Sequence, residues 1–101
     1  MTRTDTYIID DDGNIVPEPD IMKWGLWMHN ADRHVAKDTV GDVKVSTVFI
    51  GMDHSFGHGL KILYETMILG GPHDCYQERY TSHEAAQAGH ERAVARAKEG
   101  K

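Results

Sequence analysis

Cysteine is almost absent: Cys75 stands alone in 101 residues. A lone thiol excludes an intrachain disulfide and with it the small secreted disulfide scaffold, and it predicts a reducing, cytoplasmic setting. Long apolar runs are missing too. No stretch approaches the roughly 18 residues of a membrane span, and the opening "MTRTDTYIIDDDGN" lacks the apolar core of a signal peptide. The chain is therefore expected to be soluble. Positive charge is scarce, with eleven Lys and Arg against sixteen Asp and Glu and a net charge of −5. A duplex phosphate backbone would be repelled on average, so nucleic acid is excluded as the default partner. The basic residues that do cluster, Arg92, Arg96, Lys98 and Lys101, fall near the end of a predicted C-terminal helix, where they complement its dipole without any ligand.

What is present is ordinary for a globular protein: 40% hydrophobic residues, two Trp, four Tyr and two Phe, with 27% charged residues. The length allows one domain over residues 1–101 with a core that folds without staples, and disorder is expected only at 1–5 and 99–101. In "YIIDDDGNIV" two short β-prone runs flank Asp12 and Gly13, a hairpin signal. The same aspartates invite a calcium loop. Aligning Gly13 with the glycine of an EF-hand, however, places Ile8 and Pro19 at the two end positions, where carboxylates are required.

"DIMKWGLWMHNAD" predicts a first helix over about 20–31, with Asp20 as N-cap and Ile21, Trp24, Leu26, Trp27 and Met28 on one broad apolar face. Both Trp are expected in the core. Gly25 costs about 1 kcal/mol relative to Ala in a helix interior, which suggests a close backbone contact there. "RHVAKDTVGDVKVSTVFIGM" reads as two strands joined near Gly41 and Asp42. Its second strand has apolar residues on both faces, with Val43, Val45, Thr47 and Phe49 on one of them, so it is expected at the centre of its sheet and at least partly covered on each side. "LKILYETMIL" is its expected partner, and "CYQERY", after a Gly70-Gly71-Pro72 turn, is an expected edge strand. "TSHEAAQAGHERAVARAKEG" predicts the last helix over about 82–98, with Thr81 and Glu84 at capping-box spacing and Ala85, Gly89, Ala93 and Ala97 facing inward. The fold class is α+β: an N-terminal hairpin, then an antiparallel four-stranded sheet with both helices largely on one face.

With these segments placed, "VSTVFIGMDHSFG", "LYETMILGGPHD" and "RYTSHEAAQAGHERAV" together resemble a family of small proteins from phage and prophage genomes and actinobacterial chromosomes, over about Tyr7 to Val94. In this chain "LKILYETM" stands where a proline-containing approach is usual, so the exit from the preceding loop departs from the pattern. The family has no established activity. The resemblance implies a phage or mobile-element context, a location in the host-cell cytoplasm and a single-domain fold, with no chemistry attached. By analogy it favours binding a host or defence protein, sequestering a small molecule, or a minor part in virion assembly.

Chemistry is best sought in "GMDHSFGHG", where Asp53, His54 and His58 lie among three glycines. One reading is a two-His, one-carboxylate metal site for iron or zinc, with Asp53 or Asp74 as third ligand; no HExxH or CxxC signature supports it. A hydrolytic reading makes His54 a general base oriented by Asp53, with Glu65 or a metal-bound water nearby, and a related one makes Cys75 a nucleophile activated by His73. Both face the objection that neighbours on a strand point to opposite sides. The structural reading is a strand-ending turn: Asp53 accepts backbone N–H groups, Phe56 folds back onto the core, and the glycines take positive φ. Glu65, in an otherwise apolar strand, is expected to pair with Arg79, which would gather Tyr64, Glu65, Arg79 and Tyr80 into one polar neighbourhood. The leading expectation is a binding protein without catalytic residues, metal or cofactor, engaging a protein through a strand edge or a small ligand beside residues 53–58. Its candidate contact residues are Asp53, His54, His58, Tyr64, Glu65, Arg79 and Tyr80. Pairing of two copies through "CYQERY" would give a homodimer.

Overall fold

The alternation in "VKVSTVF" sets the architecture. In a computed structural model that describes residues 5–55 and 59–99, these residues form a strand in which Val43, Val45, Thr47 and Phe49 are buried, while Lys44 is exposed and Ser46 and Val48 are half-buried. In chain order the elements are β1 (Tyr7–Ile9), β2 (Ile15–Pro17), α1 (Ile21–Asn30), β3 (His34–Val40), β4 (Val43–Phe49), β5 (Tyr64–Leu69), β6 (Gln77–Tyr80) and α2 (His83–Glu99). β1 and β2 form the hairpin, and β3-β4-β5-β6 is an antiparallel meander with β4 inside it and β6 at an edge. The α+β reading holds. Expectations for residues 1–4, 100 and 101, for Phe56 folding back and for Gly57 lie outside the described residues.

α2 crosses the inner face of all four strands. Its buried residues are Ala86, Gly89, His90, Ala93 and Ala97, which follow the 3.6-residue period. The expected four-residue ladder from Ala85 drifts off that period, so Ala86 is buried in its place and His90 joins the inward face. The cap also moves by one residue: Ser82, not Thr81, accepts the Ala85 N–H at 3.1 Å. Basic residues on α2 do more than complement its dipole. Arg92 pairs with Glu78 on β6, and Arg96 lies 4.6 Å over the Tyr76 ring, so the helix grips the sheet edge.

The interior is two apolar clusters in line. Tyr7, Phe49, Leu63, Tyr64, Tyr80 and Ala86 form one, and Val40, Val43, Val45, Ile68, Ala93 and Ala97 form the other. Between them lie Thr47, Thr66 and His90.

α1 departs furthest from expectation. Asp20 caps it as predicted, accepting from the N–H groups of Met22 and Lys23. Yet no residue of α1 is fully buried: Trp24, Trp27 and Met28 are half-covered, and Ile21, Met22 and Leu26 are exposed. A Cβ at Gly25 would meet nothing within 4 Å, so the expected close contact does not exist. The two Trp act as fasteners. Trp27 stands edge-on to Phe49 with centroids 5.8 Å apart, and Trp24 Nε1 donates to the Gly51 carbonyl at 3.0 Å. Gly51 has φ +69°, and an added Cβ would lie 2.7 Å from Met28 Sδ, so hairpin, helix and sheet meet where only glycine fits.

Gly89 is the corresponding point on α2, since a Cβ there would overlap the Tyr80 ring and hydroxyl. Gly89→Ala should therefore destabilise the fold by about 1–3 kcal/mol despite the better helix propensity of Ala. Urea denaturation checks this, and an unchanged or higher midpoint would contradict the close approach.

Candidate functional site

Asp53 in the β4–β5 loop does what the turn reading requires. Its Oδ1 accepts from the N–H of Ser55 at 2.8 Å and of Ile62 at 3.0 Å, tying both limbs of the loop together. Gly51 and Gly59 both take positive φ. His54 Nδ1 donates to the Met52 carbonyl at 2.8 Å, which fixes its tautomer with the proton on that nitrogen. His58 lies outside the described residues, and with it the question of two converging imidazoles. Among the described residues, no three His, Cys, Asp or Glu side chains stand close enough to hold a metal ion.

Glu65 and Arg79 are cross-strand partners, and Arg79 Nε donates to Glu65 Oε2 at 2.9 Å. The neighbourhood expected around them is divided by the pleat. Tyr64 and Tyr80, also directly opposite one another, point to the α2 side and are buried, while Glu65 and Arg79 are on the far face. Burial raises both phenols above their ordinary value. The four residues thus share no surface.

Cys75 is exposed, with φ +69°. Its neighbour Asp74 pushes the thiol above its ordinary range, first by charge and then by accepting its S–H. This environment disfavours the thiolate, against the nucleophile reading.

A different constellation emerges under α2. His90 Nε2 lies 2.7 Å from Asp38 Oδ2 and its Nδ1 2.7 Å from Thr47 Oγ1, which is itself 2.5 Å from Thr66 Oγ1. A carboxylate accepts only, so in the neutral tautomer Nε2–H donates to Asp38, Nδ1 accepts from the Thr47 hydroxyl, and Thr47 accepts from Thr66. Acid, imidazole and hydroxyl in series resemble a hydrolytic triad. The exposure pattern is the reverse of one. Thr47 and Thr66 are at 0% exposure and His90 at 3%, and only Asp38, with its side chain 57% exposed, reaches solvent. No substrate carbonyl can approach a hydroxyl sealed between sheet and helix, and both imidazole nitrogens are occupied. Asp38 and His90 do line an open groove of about 410 Å³ between β3 and α2, with Gln87 and Glu91 at its rim. The chain of hydrogen bonds is a brace. Sequence reasoning missed His90, whose sign was its position one residue from Gly89 on the inward face.

The other broad feature is the far face of the sheet, which no helix covers among the described residues. Register places Lys37 opposite Ser46, Thr39 opposite Lys44, Lys44 opposite Leu69, and Ser46 opposite Met67. Beside them Val48 stands opposite Glu65. An open groove of about 570 Å³ runs along the β3–β4 side of this face, and its lining includes Lys37, Lys44, Ser46 and Leu69 together with Asp38. Coverage on both sides of β4 was expected; Ser46 and Val48 are shielded only by neighbouring side chains. The sheet edges are poor docking strips. β6 has four residues and carries Glu78 and Arg79, and β3 is interrupted by a bulge between His34 and Ala36.

No protein-family model, no curated protein and no solved structure matches this chain. No described helix is long and apolar enough to cross a membrane.

His90→Ala should destabilise the fold by about 2–4 kcal/mol, because it leaves buried hydroxyls unpaired beside a cavity, whereas Asp38→Asn should cost under about 1 kcal/mol at its exposed position. Equal costs in chemical denaturation would refute the brace. Cys75 should alkylate more slowly than a free cysteine at mildly alkaline pH, and Asp74→Asn should accelerate it; iodoacetamide labelling followed by mass spectrometry measures both.

Proposed function

We propose that this chain is a small phage-type protein that acts by binding and not by catalysis, and that it docks a protein partner on the helix-free face of its sheet. The phage context rests on the resemblance of the "VSTVFIGMDHSFG", "LYETMILGGPHD" and "RYTSHEAAQAGHERAV" stretches. The observation that carries the reading is the make-up of the open face. Val48, Met67 and Leu69 supply apolar contact, Lys37 and Lys44 flank them, Glu65 is paired with Arg79, and the exposed Asp32 at the margin is bonded to His34. In an acidic chain this is a locally basic, partly apolar surface, and it suits an acidic partner with apolar anchors. Sheets that read single-stranded nucleic acid offer aromatic rings for base stacking, and these strands turn their aromatics inward.

A fluorescently labelled peptide with Glu and Leu at helical spacing, titrated by anisotropy beside a labelled single-stranded oligonucleotide, tests the reading. The peptide should bind, more weakly as salt is raised, and K37E/K44E should weaken it by about tenfold or more. Absence of peptide binding, indifference to the double substitution, or preference for the oligonucleotide would overturn it.

A further inference from the structure

The chain's own N-terminal third has the chemistry that this face suits. Residues 5–30 hold Asp5, Asp10, Asp11, Asp12, Glu18 and Asp20 against Lys23, a net of −5 that equals the formal charge of the entire chain. Within the same segment the exposed large apolar side chains are concentrated on α1: Ile21 at 60%, Met22 at 82% and Leu26 at 64% exposure. Glu18 and Asp20 lie just before Ile21 and Met22. Gly25 sits one residue before Leu26 with nothing within 4 Å of where a Cβ would be, so another backbone can approach closely there.

We propose that α1 of one copy lies on the open sheet face of a second copy, so that molecules associate head to tail. The proposal rests on the docking reading above and names its partner as this same chain. Dimensions agree: a helix of 10 residues is about 15 Å long, and four strands at about 4.8 Å spacing make a face about 15 Å across. Charge agrees, since Glu18 and Asp20 would meet Lys37 and Lys44 while Ile21, Met22 and Leu26 meet Val48, Met67 and Leu69.

The contact must be intermolecular. Trp24, Trp27 and Met28 hold the opposite side of α1 against Gly51 and Phe49, and only residues 31–33 connect α1 to β3. The exposed ridge therefore cannot swing onto its own sheet. The overall dimensions of 49 × 29 × 21 Å and a radius of gyration of 14.7 Å, against about 13 Å expected for 100 residues, describe a molecule extended enough to present two separate surfaces. In the head-to-tail arrangement each contact leaves one helix and one sheet face free, so association continues past the dimer.

Sedimentation velocity over a rising concentration series reads this directly. The wild type should grow from the 11.4 kDa monomer past the dimer, and less so at high salt. M22E/L26E on α1 and K37E/K44E on the sheet should each remain monomeric, with unchanged circular dichroism because all four residues are exposed. Mixed in equal amounts, the two variants should form a one-to-one dimer and stop, since the first retains a competent sheet face and the second a competent helix. A wild type that stays monomeric throughout overturns the inference, as does a mixture that fails to pair or an α1 variant that still self-associates. If the wild type is monomeric while the Glu/Leu peptide binds, only the choice of partner fails; if the peptide is not bound either, the docking reading falls with it.

Discussion

Thr47, Thr66 and His90 form a polar layer one residue thick through the middle of the core, and the rest of the fold is arranged around satisfying it. A buried hydroxyl or imidazole without a partner costs about 1–3 kcal/mol. This layer avoids the cost only when β4, β5 and α2 are in one register: Thr47 opposite Thr66, with His90 above them and Asp38 of β3 reaching in from the side. Slipping a strand by one residue would turn a threonine to solvent and leave the imidazole unpaired. A one-residue slip would expose Val43, Val45 and Phe49 as well; a slip of two residues keeps apolar side chains inward, and because contacts among Val, Ile and Ala are not directional, the hydroxyl and imidazole bonds are what select among those registers. The polar layer thus supplies register, and the flanking clusters supply most of the favourable burial.

The same register fixes which surface is left over. With one long helix committed to the inner face, the shorter α1 could only have covered the outer face if the chain had led it there. It is instead drawn to the end of the sheet, where Gly51 accepts from both Trp24 Nε1 and the Tyr7 N–H. A glycine with φ +69° at that point is what lets indole, thioether and backbone converge. The cost is a helix with exposed Ile21, Met22 and Leu26, and a sheet whose far side no helix covers among the described residues.

Much of this was legible in the sequence, and the exceptions share a cause. Elements with a period were read correctly: the alternation of β4, its pairing with β5, the Asp12-Gly13 hairpin, the N-cap at Asp20 and the Glu65–Arg79 pair all follow from spacing along the chain. What failed depended on the third dimension. A spacing of four mimics 3.6 over two turns, so the inward face of α2 began at Ala85 on paper and at Ala86 in the fold, and His90 passed as one more polar helix residue. Tyr64, Glu65, Arg79 and Tyr80 are consecutive pairs in sequence, but nearness in sequence is not nearness in space, and the pleat separates them. Apolar spacing in α1 predicted an apolar face correctly in kind, but not that Ile21 and Leu26 would stay largely exposed. The loop reading of Asp53 succeeded because its bonds to Ser55 and Ile62 are local turn chemistry.

A carboxylate, an imidazole and two hydroxyls in series invite a catalytic interpretation, and the reasons to decline it also bear on the surface. Catalysis needs the reactive end of such a chain to be open and the orienting end to be sheltered. Here the carboxylate is open and the hydroxyls are sheltered, so the same atoms rigidify the sheet without offering it a reaction. A sheet stiffened from beneath is a good platform for recognition, because side chains on its far face are presented without a large ordering cost on binding. Lys37 and Lys44 are exposed on that face and keep it solvated in the free protein, Lys44 standing opposite Leu69. Contact with a partner would then release water from Val48, Met67 and Leu69 while the ammonium groups stay at the rim, where charge selects partners more than it adds affinity. The internal polar layer and the external basic face are in this sense one construction, the first holding still what the second displays.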